Sequence, residues 1–244
     1  MHRSLFLLLL VLAAGGAQPA AAQKIIERTA AVAPGQRVFL NLKQAGSIRI
    51  RAGAAGQLAL KATVTINQNR LNDALLLAVE STDSELRVAA DLDYALVRDA
   101  PPGDCPDGAT YYGDNYISYG RNGARDRQAS RLCADIAYDI VLPAGVALRV
   151  STYSGNIDIA GLTGAIEAKS LSGFVDVAWP AAAGAEVALK TVTGEVYTDQ
   201  DIAFSTARPA QPVVGYQLRG TLGGSGPLVR LESISNDVYF RRRK

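Results

Sequence analysis

The chain has 244 residues, with 25 Lys and Arg against 23 Asp and Glu, a formal net charge of +2, and one histidine, His2. So balanced a charge gives no electrostatic footprint for nucleic acid. His2 falls in a segment with the features of a cleaved leader, so the mature chain is expected to lack a Ser-His-Asp or Cys-His catalytic site and any histidine-ligated metal.

Residues 1–22 open with His2 and Arg3, run through an apolar stretch from Leu5 to Ala14 and end in Ala20-Ala21-Ala22. That order of charge, apolar core and small residues is a secretory signal peptide, with the mature chain starting near Gln23. The apolar run is too short to span a bilayer and is broken by Gly15-Gly16, so no stable membrane anchor is expected. The leader has no cysteine to carry a lipid. Removing Arg3 leaves 24 basic against 23 acidic residues in 23–244, read as a single all-β domain.

Residues 37–42, 47–50 and 58–66 alternate apolar and polar side chains and are separated by Gly46 and by Gly53 to Gly56, which predicts three short strands. Residues 45–50 loosely match a repeat found later in the chain, but the strand before them is one residue out of phase. Residues 69–79 are predicted as a short helix or a strand, and residues 86–88 close this part.

Residues 97–132 differ in kind. Pro101-Pro102, Gly103, Gly108, Gly113, Gly120 and Gly123 lie among polar residues with Tyr111, Tyr112, Tyr116 and Tyr119, which reads as a long loop inserted in the domain. Cys105 and Cys133 are 28 residues apart, and in an oxidising compartment such a lone pair is expected to form one disulfide closing the loop. Its tyrosines, each with an apolar face and a polar tip, suit a glycan or a protein partner, or they cover the β stack.

Four segments then align: residues 148–159, 166–177, 187–198 and 229–240. Each reads apolar-x-apolar-x-[ST]-apolar-[ST]-[GN]-x-apolar. The last small column is Gly155, Gly173, Gly194 and Asn236, with steps of 18, 21 and 42, the last being twice 21. Residues two apart on a strand share a face, so the two apolar pairs of each unit point inward on either side of a corner. The glycine column is expected to supply positive φ there, with Asn236 as the best-tolerated substitute.

The hydroxyl columns Ser154, Ser172, Thr193, Ser235 and Thr152, Ser170, Thr191, Ser233 are expected to bond along the stack or cap the corners, at about 0.5–1.5 kcal/mol each. Four equivalent hydroxyls without a histidine base are corners rather than nucleophiles. The acids Asp158, Asp176 and Asp237 are read as solvated faces; no metal or cofactor is expected. Residues 220–226 are read as turns, not a phosphate loop, since no P-loop lysine or helical pattern follows. Arg241, Arg242, Arg243 and Lys244 are read as a solvated end that leaves a terminal strand unpaired.

With these units laid out, residues 38–240 resemble the bacterial putative-adhesin domain family, whose members carry a signal peptide and repeated [ST]-G-x-[IV]-x-[IV] units. The stretch from Tyr216 to Gly226 and the unit after it look like that family's last coils. The resemblance implies a right-handed β-solenoid-like stack, with an antiparallel β-sandwich as the alternative fold. The family name implies adhesion and supplies no catalytic or binding residues; the signal, the repeats and the lack of a catalytic constellation point to an exported, non-catalytic periplasmic or cell-surface protein that engages an envelope protein or a glycan. Two alternatives stand beside this: a structural envelope component, and a polysaccharide-active β-helix enzyme using Asp158, Asp176 and Lys169 on one face.

Overall fold

The computed structural model describes residues 22–54, 56–98, 118–119, 125–126, 132–205 and 215–243. Strands are numbered along the chain. An eight-stranded sheet runs β1 (Lys24–Ala31), β4 (Gln57–Ile66), β9 (Ala134–Pro143), β3 (Ser47–Gly53), β11 (Asn156–Ala160), β13 (Val175–Trp179), β19 (Val238–Arg242) and β15 (Val196–Thr198). A nine-stranded sheet runs β16 (Ile202–Phe204), β17 (Tyr216–Leu222), β14 (Ala185–Thr191), β18 (Leu228–Ser233), β12 (Ile166–Ser170), β10 (Leu148–Thr152), β2 (Arg37–Leu42), β6 (Glu85–Leu92) and β5 (Leu75–Ser81). A separate pair, β7 (Ser118–Tyr119) and β8 (Arg125–Asp126), a short helix α1 (Tyr94–Arg98) and a 3-10 turn at Asn72–Ala74 complete the described elements.

Five strand-corner-strand units each give one strand to each large sheet. In the nine-stranded sheet, parallel pairing puts Val38, Leu148, Ile166, Val229 and Val187 in one inward row, and Leu40, Val150, Ala168, Leu231 and Leu189 in the next. In the other sheet Ile48, Ile157, Val175, Val238 and Val196 align in the same way. Nearly all of these side chains are buried in one hydrophobic core shared by the two sheets, which is what alternation of apolar and polar residues produces when one face is covered. Trp179 is fully buried at one end, with its indole N–H donating to the Ala183 carbonyl at 2.9 Å.

The architecture is all-β in two mixed, open sheets, which is neither a plain stack of coils in chain order nor an antiparallel sandwich. Three departures from the sequence reading account for this. The unit β18–β19 lies between β12–β13 and β14–β15, so spatial order and chain order cross. The 42-residue step does not hide a missing coil, because after β16 the chain returns as β17, antiparallel to β14. At the opposite end β4 runs antiparallel to β9 and β1 antiparallel to β4, while β5 runs antiparallel to β6.

The N-terminal unit β2–β3 is a full member of the stack. Val38 pairs with Leu148 and Ile48 with Ile157, so its corner spans one residue more than that of β10–β11. The ambiguous stretch 69–79 resolves into a 3-10 turn at Asn72–Ala74 followed by β5. Before it, Asn67, Gln68 and Asn69 all have left-handed φ values of 46°, 55° and 71°, a conformation non-glycine residues adopt at a cost. The bend is held by buried groups: the Asn67 N–H donates to the Cys133 carbonyl at 2.9 Å, the Asn67 amide oxygen accepts the Cys133 N–H at 3.0 Å, and Asn72 accepts the Ile66 N–H at 2.7 Å.

Arg241 to Arg243 are exposed, as a solvated end requires, but the strand that leads into them is not unpaired. β19 is paired on both sides, the Arg241 guanidinium binds Asp176 through Nε (3.0 Å) and Nη2, and the Arg243 N–H donates to the Trp179 carbonyl at 2.9 Å.

Candidate functional site

The hydroxyls predicted at the corners form a continuous buried chain. Ser170 Oγ accepts the Gly173 N–H at 2.8 Å and donates to the Gly155 carbonyl of the neighbouring unit at 2.9 Å. Ser233 repeats this with Asn236 N–H (3.1 Å) and the Gly173 carbonyl (2.9 Å), and Thr191 with Gly194 N–H (3.0 Å) and the Asn236 carbonyl (2.9 Å). Thr152 accepts the Gly155 N–H at 3.3 Å and reaches the Lys43 carbonyl at 3.4 Å. Each hydroxyl therefore caps its own corner and ties it to the next, its proton committed to a neighbouring carbonyl.

The outer hydroxyl column is less uniform. Ser154 donates to the Ala45 carbonyl at 3.1 Å and Thr193 to the Ile234 carbonyl at 3.2 Å, while Ser172 and Ser235 are exposed.

The glycine column has a different cause from the one expected. Gly155, Gly173 and Gly194 are not among the described glycines with positive φ, and neither Asn236 nor any other corner residue is left-handed. Close approach explains it: a Cβ on Gly155 would stand 2.9 Å from the Ala45 carbonyl oxygen. A Cβ on Gly173 would collide with the Gly155 carbonyl, and one on Gly194 with that of Asn236. Glycine is required because stacked corner backbones occupy the space of a side chain.

Tyr111, Tyr112, Tyr116 and Cys105 lie outside the described residues. Tyr119 sits in β7 opposite Arg125 of β8, and Cys133 precedes β9 on the Asn67 bend.

The three acids are committed to local partners, and Asp176, expected on a solvated face, is buried beneath Arg241. Asp158 and Asp176 are neighbours in register; Asp176 is covered by Arg241, and Asp158 lies 3.9 Å from Arg51. Asp237 accepts the Glu195 N–H at 2.9 Å and the Tyr239 hydroxyl at 3.0 Å, a bond that holds the Tyr239 phenol above its ordinary pKa. No group of three metal-ligating side chains occurs among the described residues. The face proposed for polysaccharide cleavage does not assemble, because Asp158 and Asp176 belong to the eight-stranded sheet and Lys169 to the nine-stranded one. Lys169 instead joins Lys190 around Glu232, at 3.4 and 3.1 Å. Burial alone would raise the Glu232 carboxyl, but the two lysines bring it below its usual value.

Two surface features emerge from the register that single units do not reveal. On the eight-stranded sheet, Tyr197 and Tyr239 stack at 5.1 Å with planes 13° apart, and Phe174 meets Tyr239 edge-on at 6.0 Å. On the nine-stranded sheet, Arg87, Phe39, Arg149, Glu167 and Arg230 form a row across five strands, with Arg87 and Arg149 over the Phe39 ring at 4.7 and 5.1 Å. Two residues earlier on the central strands the side chains shrink to Ala147 and Ala165, which opens a hollow of about 240 Å³ between Arg37 and Leu228. The signal was present in the repeat's first polar column, which holds Arg149, Glu167 and Arg230, but its significance depends on which units are neighbours.

No helix among the described residues is long and apolar enough to cross a membrane. No family model matches the chain, and no curated protein matches it. Among solved structures it is similar to a protein named a putative cell adhesion protein from Clostridium sporogenes, at 11% identity and a TM-score of 0.51 over 90% of this chain and 100% of that one. A protein named a putative adhesin from Bacteroides fragilis is also matched, at 11% identity and a TM-score of 0.25 over 91% of this chain and 98% of that one. The first likeness is one of fold: all-β, with the chain spanning the whole of its neighbour.

Proposed function

We propose that the chain is an exported, non-catalytic interaction module of the cell envelope, adhesin-like in the sense that its role is to bind another surface component. The observation that carries this reading is the division of labour between inside and outside. Buried polar groups at the corners are satisfied by one another, while in-register repetition lays rows of arginine, carboxylate and aromatic side chains over the two outer faces. Regular rows on a rigid scaffold are suited to repetitive surfaces, since each side chain is held in place before contact and little ordering entropy is lost. The name of the Clostridium neighbour agrees with this. The leader-like order of residues 1–22 supports export, the tyrosines of the 97–132 loop are proposed as a second contact, and the parallel units are read as a two-sided solenoid.

The test is to express the full chain in a bacterial host, confirm by mass spectrometry that the product starts at Gln23, and measure saturable capture of whole cells and envelope fractions. Specific capture is expected. A product retained in the cytoplasm, or one that captures no cells or envelope material, overturns the reading.

A further inference from the structure

Around the hollow on the nine-stranded sheet stand three guanidinium groups whose hydrogen-bonding capacity is unspent. Arg37 lies 3.8 Å from Glu85 and Arg149 lies 3.8 Å from Glu167, beyond hydrogen-bond distance in both cases, and their side chains are 67% and 62% exposed. Arg230 has no carboxylate within 4 Å among the described residues, and none of the three guanidinium groups makes a hydrogen bond to them. An arginine offers five donors in a fixed fork that matches a carboxylate, so three around one hollow form a strong acceptor-seeking site. Phe39 is not a stacking platform, because Arg87 and Arg149 lie against its ring; it serves instead to hold Arg149 upright.

The rim also carries Glu85 and Glu167, and this narrows the ligand. Two carboxylates repel a dianionic phosphate but accept hydroxyl hydrogens, so the complementary group combines one carboxylate with several hydroxyls. The floor of Ala147 and Ala165 gives it room to approach the sheet, and Leu228, 40% exposed, offers an apolar wall for the carbon face of a ring. At about 240 Å³ the hollow is smaller than ordinary small-molecule pockets, roughly 300–1,000 Å³, which fits one residue of a longer chain rather than a whole oligosaccharide.

The geometry points to a subsite for a uronic-acid residue of an acidic polysaccharide, with Arg149 and Arg230 taking the sugar carboxylate and Glu85 and Glu167 accepting its hydroxyls. This rests on the interaction-module reading and names its ligand class. Both arginines are exposed, so the double variant is expected to keep the fold, which circular dichroism checks.

Calorimetric titration of the exported protein with trigalacturonate, with maltotriose as the neutral control and inorganic phosphate as a competitor, tests the assignment. The expected result is binding of trigalacturonate but not maltotriose, weak competition by phosphate, and at least about tenfold weaker binding in the double variant Arg149→Gln/Arg230→Gln, as follows from losing charge-assisted hydrogen bonds. Ala165→Phe, which fills the hollow, should abolish binding; if it unfolds the protein, the arginine variant decides. Equal binding of both trisaccharides, no binding of trigalacturonate, unchanged affinity in the double variant, or competition by phosphate as strong as by free galacturonate would each overturn the proposal. Cell capture separates the two levels: a protein that captures cells but ignores trigalacturonate loses the ligand and keeps the module, whereas capture of nothing removes the module itself.

Discussion

Ser170→Ala removes one oxygen and orphans two backbone groups. Ser170 is fully buried, and its hydroxyl is the acceptor for the Gly173 N–H at 2.8 Å and the donor to the Gly155 carbonyl at 2.9 Å. Both glycines are buried, so water cannot replace the lost partner without opening the corner. An unsatisfied buried backbone group costs about 1–3 kcal/mol, and the two together give roughly 2–4 kcal/mol after partial relaxation. At about 1.4 kcal/mol per factor of ten, the folded-to-unfolded ratio drops by between about 30-fold and 1,000-fold. With a urea m-value of about 2–3 kcal/mol/M, the midpoint moves down by about 1 M. Ser172→Ala is the matched control: two residues away, exposed, and expected to change stability by less than about 0.5 kcal/mol. Equilibrium urea unfolding followed by circular dichroism reads both. If Ser170→Ala and Ser172→Ala unfold at the same concentration, the hydroxyl chain does not hold the corners and the account of the serine column is wrong.

Gly173→Ala should cost about 3 kcal/mol or prevent folding, since its Cβ meets the Gly155 backbone, while Gly145→Ala, with open space and ordinary φ, should leave the urea midpoint within about 0.2 M. Glu232 has a carboxyl pKa held below its unfolded value, so its contribution is present above the ordinary value of about 4.3 and is lost as pH falls through the lower folded value. The stability gap between the native protein and Glu232→Gln should therefore narrow between about pH 5 and pH 3, and a gap that widens on acidification refutes the pairing with Lys169 and Lys190. We expect a thiol assay of the protein, purified under oxidising conditions, to detect no free cysteine until it is reduced. Reduction of a Cys105–Cys133 bond should then lower stability by roughly 3–4 kcal/mol, the loop-entropy value for a 28-residue separation.

Much of the local structure was legible in the residues. The pairs Leu148/Val150 and Ile157/Ile159 reveal strand phase because period-2 alternation has only one buried face, and the extra residue in the β2–β3 corner shows as the phase slip before Ala45. Neighbour order was not legible. Every unit presents the same apolar rows, so the pattern that marks 229–240 as a repeat unit says nothing about whether it docks on Ile166 or on Val187, and in the fold it docks on both. The cause of the glycine column was misread for the same reason: positive φ is a property of one residue, but contact between Gly173 and Gly155 is a property of two units. The arginine hollow was hidden likewise, its parts spread from Arg37 to Arg230.

The crossing of spatial and chain order has a kinetic meaning. β14 and β15 leave the ribosome before β18 and β19, yet they dock against them, so the fourth unit has no parallel neighbour until residues 228–242 arrive. The same holds at the other end, where β3 and β4 are joined only through β9, more than 60 residues later. Such long-range closure slows folding and discourages stepwise growth from the N-terminus. A chain wired in this way completes its two sheets only when its last unit enters between two earlier ones.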